Sequence, residues 1–295
     1  MTNTAKFPPL LYVVAAAVLW STGGLFIKWT KLSSLELSFF RSFFAILIVA
    51  FFTRHEGFKL NATSVLGSLL YAAILILFVS ATKQTTAANA IFLQYTAPAY
   101  ILLLEPIFYK EKFRQRDLIT VLVCLSGMTL FFVGKLRPED VSGNIMALAS
   151  GVCFALYFLL LRHPKARLVN RASSAIYGNL LVLLITAPWG FSALNNISRS
   201  DLVTAIYLGL FQLGLSYVFF TAAMAQGVRS LDAGIIGYIE PVLNPVWVFM
   251  FIGERPTQWA LIGGTIIIVA VIVHMVLDAQ RKRKESWSQL ESANT

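Results

Sequence analysis

The chain has 295 residues, 57% of them hydrophobic and only 13% charged, whereas soluble globular domains carry roughly 25% charged residues. A water-soluble domain of this length is therefore excluded, because the apolar residues run in long blocks and not in the short periodic patterns of a globular core. The formal charge of +10 would suit a nucleic-acid binder, but the 24 Lys and Arg residues lie between the blocks and share no face, which excludes that class too.

The N-terminal MTNTAKFPPL precedes an apolar run without a small-residue cleavage site, so it opens a retained first span. At 1.5 Å rise per residue, ten blocks are long enough to cross a bilayer: 9–28, 36–52, 63–81, 86–107, 118–134, 142–161, 173–191, 202–223, 230–252 and 259–277. With both termini in the cytoplasm, most of the basic residues, including Arg54, Lys110, Arg162, Arg229 and the RKRK run at 281–284, fall inside, as the positive-inside rule requires. Directly after a span, that basic run is read as an anchor to anionic lipid, and the residues after Trp287 as disordered.

Taken in chain order, the candidate functional residues begin with Trp20 in span 1. Ser33 followed by Glu36 fits a capping box at the start of span 2. Arg41, a few residues further in, either binds a carboxylate with its planar fork, as a gate, or snorkels to the headgroups. Span 4 carries Asn89, Gln94 and Tyr95 and is expected to be interrupted at Pro98 and Pro106; Glu105 and Lys110 close it as interface groups or a gate. Cys124 and Cys153 lie inside apolar blocks without metal-ligand neighbours and are packing residues. Ala147, Gly151 and Ala155 form a small-residue stripe in span 6, for an intramolecular or a dimer contact, and Gly263 and Gly264 offer another in span 10.

Tyr157 and Tyr217 lie on spans 6 and 8. Span 9 repeats the pattern of span 4, with Tyr238, Glu240 and Asn244 beside Pro241 and Pro245. Polar groups at mid-membrane depth on proline-broken helices point to a binding site, with the four prolines as hinges. Glu240 contacts a substrate ammonium or takes up a coupling proton; the alternative is a protonated structural group.

Self-similarity sharpens this reading. Shifted by 143, Ala90, Tyr95, Pro98, Glu111, Lys112 and Gln115 fall on Ala233, Tyr238, Pro241, Glu254, Arg255 and Gln258. Shifted by 134, AVLWST at 17–22 parallels GVCFAL at 151–156. Five spans plus five, an odd number, imply two copies of opposite orientation, residues 1–138 and 139–277, followed by a basic tail at 278–295. The expected fold is an all-α integral membrane protein with two inverted-topology five-helix repeats around a central cavity.

With VLWSTGG in the first span, AANAIFLQYTAP in the fourth and the exits YKEK and GERP, the chain resembles the EamA-type members of the drug/metabolite transporter superfamily. Within that group it is most similar to the YddG-type exporters of aromatic amino acids. The resemblance implies a monomer in the bacterial inner membrane and a central cavity lined by spans 1, 3, 4, 6, 8 and 9, with spans 5 and 10 peripheral. A homodimer stays open.

His55, His163 and His274 are scattered, and no P-loop or zinc-protease helix motif occurs, so neither an enzyme nor an ATP-driven pump is expected, nor any cofactor, metal or nucleic-acid partner. The expectation is a carrier or facilitator for small metabolites, aromatic or hydrophobic amino acids first, other metabolites or drugs second. A channel, membrane enzyme or scaffold is the competing class.

Overall fold

The structure is a computed structural model that describes residues 8–293 apart from 111, 132, 134–138, 254 and 256. Glu111 and Glu254, on which the repeat partly rests, and the basic residues Lys6, Lys135 and Arg137 lie outside the described residues. A bilayer core offers no water to bond backbone groups, so each apolar block closes its hydrogen bonds internally as helix. The helices are α1 (Pro9–Trp20), α2 (Gly23–Trp29), α3 (Ser34–Thr53), α4 (Ala62–Gln84), α5 (Ala87–Gln94), α6 (Ala97–Tyr109), α7 (Gln115–Phe131), α8 (Val141–Arg162), α9 (Ser173–Ala193), α10 (Arg199–Tyr207), α11 (Ser216–Ala225), α12 (Ser230–Gly237), α13 (Ile239–Ile252) and α14 (Gln258–Ala293). No strand occurs among the described residues.

Among the described residues, nine helical stretches are long and apolar enough to cross a membrane. The remaining expected span, 118–134, falls on α7, described over Gln115–Phe131; residues 132 and 134 lie outside the described residues. Ser33 and Glu36 form the expected capping box at the start of α3.

Helix breaks differ from expectation in instructive ways. Span 4 breaks at Tyr95–Thr96 and span 9 at Tyr238, each just before the first of its two prolines. Pro98 and Pro241 thus sit in the first turn of α6 and α13, where a missing N–H costs nothing because that donor has no partner inside the helix. Pro106 and Pro245 do not interrupt: α6 and α13 run through them, each turn forfeiting one bond while its neighbours hold. Span 1 breaks unexpectedly at Ser21–Thr22, where the Ser21 and Thr22 hydroxyls donate to the carbonyls of Val18 and Leu19 at 2.6 and 2.8 Å and so satisfy part of the opened backbone. Span 8 contains a π-helical stretch, Leu208–Leu215, between α10 and α11.

The tail is helical, not disordered. Once α14 is nucleated, the Lys, Arg, Glu, Gln and Leu residues that follow extend it at little cost, and it continues to Ala293 over 36 residues, about 54 Å. Arg281 of the basic run pairs with Asp278 at 3.0 Å.

Packing places α7 against α14, away from the centre, while α4 packs on α8 and α9, α3 on α9 and the π-helical stretch, and α1 on α11. The small-residue stripe of α8 is intramolecular: Ala147 and Ala155 are fully buried, and a Cβ on Gly151 would lie 2.8 Å from the Gln94 carbonyl oxygen at the end of α5. Gly151→Leu is therefore expected to prevent that approach and destabilise the protein by about 1–3 kcal/mol or more. A wild-type melting temperature in detergent would contradict this packing.

Candidate functional site

The breaks in spans 1 and 9 are joined through side chains. Asn244 donates from Nδ2 to the Ser21 carbonyl at 3.1 Å, Trp247 donates from Nε1 to the Ser21 hydroxyl at 2.7 Å, and Gln212 reaches the Trp20 carbonyl at 3.4 Å. Gly24 lets this happen, since a Cβ there would lie 2.5 Å from Asn244 Nδ2. Asn244, expected to bind substrate, is occupied in holding the α1–α2 junction.

Beside that junction lies a cavity of about 40 Å³ lined by Trp20, Arg41, Gln94, Phe154, Gln212, Tyr217 and Glu240, with Ile74, Leu75, Phe78, Val79 and Leu213 as its apolar wall. Five of the residues singled out in the sequence meet here: Trp20, Arg41, Gln94, Tyr217 and Glu240. Arg41 does not snorkel. It is 3% exposed, and its Nη2 donates to Gln212 Oε1 at 3.0 Å. Gly209 permits this pairing, because a Cβ there would lie 2.8 Å from the Arg41 carbonyl oxygen and 2.5 Å from the Phe44 Cβ. The π-helical stretch matters as well. Residues five apart in an α-helix point about 140° away from each other, whereas i→i+5 bonding widens the turn and brings Gln212 and Tyr217 to one cavity.

Glu240, at the first turn of α13, accepts a hydrogen bond from the Tyr95 hydroxyl at 2.5 Å. Tyr95 caps α5 and its ring lies 5.7 Å from that of Tyr238, so the two breaks meet face to face. Gln94 donates to the Ser150 hydroxyl at 2.7 Å. Trp20 packs against Tyr217 and Phe220 at 5.2 Å and Phe154 at 6.0 Å, and also walls a second small cavity with Tyr95, Pro98, Phe154 and Phe158.

Other expected site residues lie elsewhere. Asn89 bonds Thr85 and Asn144 at the first turn of α5. Tyr157 is fully buried in a cluster with Tyr71 and Tyr217, and Tyr238 is fully buried behind Tyr95. Sequence reasoning missed Gln212 and Tyr71. Each is a polar group within an apolar run, a signal that was available; Asn179 donates to the Tyr71 hydroxyl at 3.0 Å.

Both ends of the bundle are closed by polar groups. At one, the Thr30 hydroxyl donates to Asp201 at 2.6 Å, Lys83 to the Thr30 carbonyl at 2.8 Å and Lys28 to the Thr85 carbonyl at 2.7 Å. At the other, Arg229 bonds Glu105 at 2.7 Å and Asp117 at 2.5 Å, and Arg162 bonds Glu105 at 3.0 Å. His274 meets Asp232 at 3.0 Å nearby. Burial works against charge on Arg229, but Glu105, Asp117 and Asp232 outweigh it and hold the guanidinium above its ordinary value. Glu105 is fully buried within this ionic cluster at the end of the bundle, and α7 and α14, though peripheral, contribute Asp117 and His274 to it.

Comparisons with known proteins agree with this architecture. A solved crystal structure superposes with a TM-score of 0.76 at 19% identity, covering 92% of this chain and 98% of the other, a likeness of fold. The uncharacterized transporter YwfM of Bacillus subtilis is 27% identical over 93% of this chain and 95% of its own length. An uncharacterized transporter of Archaeoglobus fulgidus is 25% identical over 88% and 94%, and human solute carrier family 35 member G1 is 24% identical over 88% and 76%. The model of the EamA-like transporter family matches twice, at residues 7–133 and 141–276. With nearly the whole chain accounted for in those two matches, this multi-pass membrane protein belongs to the EamA-like transporter family.

Proposed function

We propose that the protein is a secondary carrier that exports aromatic or hydrophobic amino acids across a bacterial inner membrane by alternating access. The observation that carries this reading is the cavity itself. It lies at the junction of broken helices, has Trp20, Phe154 and Tyr217 for aromatic walls and holds one basic and one acidic group. At about 40 Å³ it has room for only a few waters, so loading an amino acid requires the surrounding helices to part.

The two family matches and the paired breaks at Tyr95 and Tyr238 support two halves, 1–138 and 139–277, of inverted topology. Their exchange of conformation would open the cavity to one side and then to the other. Both termini are cytoplasmic in this reading, and one chain suffices.

Purified protein in liposomes is expected to give saturable counterflow of labelled Phe or Trp. Flux that never saturates would mean a channel, and inert Phe and Trp beside a transported metabolite of another class would overturn the substrate. Separately, single cysteines at positions 111 and 254 should label from opposite faces of the membrane; labelling from one face would end the inverted-repeat reading.

A further inference from the structure

Arg41 and Glu240 line the same cavity from α3 and α13, yet among the described residues neither forms an ion pair, with the other or with any third group. Arg41 spends one nitrogen on Gln212, while its Nε and Nη1 are buried without a hydrogen-bond partner. A guanidinium kept in the interior with two idle donors is costly unless something brings a matching acceptor. Among the described residues, no carboxylate other than Glu240 lines that cavity.

Glu240 is the mirror case. One carboxylate oxygen accepts from Tyr95, and among the described residues the other makes no hydrogen bond. Gln212 and Tyr95 thus position the two charged groups, which keep free valences of opposite sign within one small, aromatic-walled space.

We propose that Arg41 and Glu240 are a dipolar recognition pair: the Arg41 fork takes the substrate carboxylate and Glu240 takes its ammonium. Resting on the transport reading above, this narrows the substrate class to free α-amino acids. An aromatic amine leaves Arg41 unpaired, an aromatic acid leaves Glu240 unpaired, and a truncated partner of a buried charge pair is heavily penalised. Arg supplies planar two-point contact that Lys does not.

Competition against labelled Phe counterflow in proteoliposomes tests this with three matched compounds: Phe, phenethylamine and 3-phenylpropionate. In the wild type both truncated compounds are expected to compete about thirtyfold or more weakly than Phe. Arg41→Gln should erase the gap between Phe and phenethylamine while preserving that between Phe and phenylpropionate, and Glu240→Gln should do the reverse. If Arg41→Gln yields no monodisperse protein, Arg41→Lys should narrow the same single gap.

Phenethylamine or phenylpropionate competing as well as Phe in the wild type would overturn the pair, as would either substitution closing both gaps alike. Should Phe be inert, the set leucine, 3-methylbutylamine and 4-methylpentanoate asks the same question. Failure there of the dipolar pattern sinks the pair, whereas its success sinks only the aromatic substrate.

Discussion

Arg229→Met is expected to lower the melting temperature by roughly 10 °C or more, a loss of about 3–5 kcal/mol. Arg229 forks between Glu105 of α6 and Asp117 of α7, and both carboxylates are fully buried. Removing the guanidinium leaves them short of counter-charge among low-dielectric neighbours, although Glu105 keeps Arg162 at 3.0 Å and Asp117 keeps Arg116 at 3.7 Å. Lys cannot bridge two carboxylates as a planar fork does, so Arg229→Lys should fall between Met and wild type. Adding Glu105→Gln and Asp117→Asn to Arg229→Met should recover part of the loss, because neutral partners need no counter-charge. Thermal unfolding in detergent followed by size-exclusion reads all four; a drop under about 2 °C for the Met variant would show that the cluster holds nothing together.

Trp20→Ala is the second large effect. The indole is 5% exposed, packs against three aromatic rings and forms the shared wall of two cavities of about 40 and about 10 Å³. Deleting it should cost about 3–5 kcal/mol and merge the two voids, whereas Trp20→Phe keeps most of the contact and should lose much less. An enlarged aromatic void also takes up small flat molecules. Millimolar indole should therefore raise the melting temperature of Trp20→Ala and leave the wild type unchanged. Equal response of both proteins would mean that Trp20 is not the wall.

What could be read beforehand divides along a physical line. Hydropathy blocks located the spans because burial in lipid is decided by composition along the chain, and Pro98 and Pro241 marked two real breaks because proline acts on its own backbone. Pro106 and Pro245 misled for the complementary reason: losing one donor in a long helix is tolerated, and whether the helix opens depends on its neighbours. The Ser21–Thr22 break and the π-helical stretch left no such mark, since both lie in runs whose mean hydropathy stays high.

Arg41 was recognised as a choice between headgroup and cavity, and the outcome turned on Gln212, 171 residues away. The same holds for Glu105, whose partner Arg229 comes from the other half of the chain. Residues that act within one helix, such as Ser33 and Glu36, were legible; pairings between helices were not.

Leu208–Leu215 carries more residues per turn than the helices on either side. Rewinding it to ordinary α-helix with every residue kept would set Gln212 and Tyr217 about 140° apart, carrying Tyr217 off the wall it shares with Gln212.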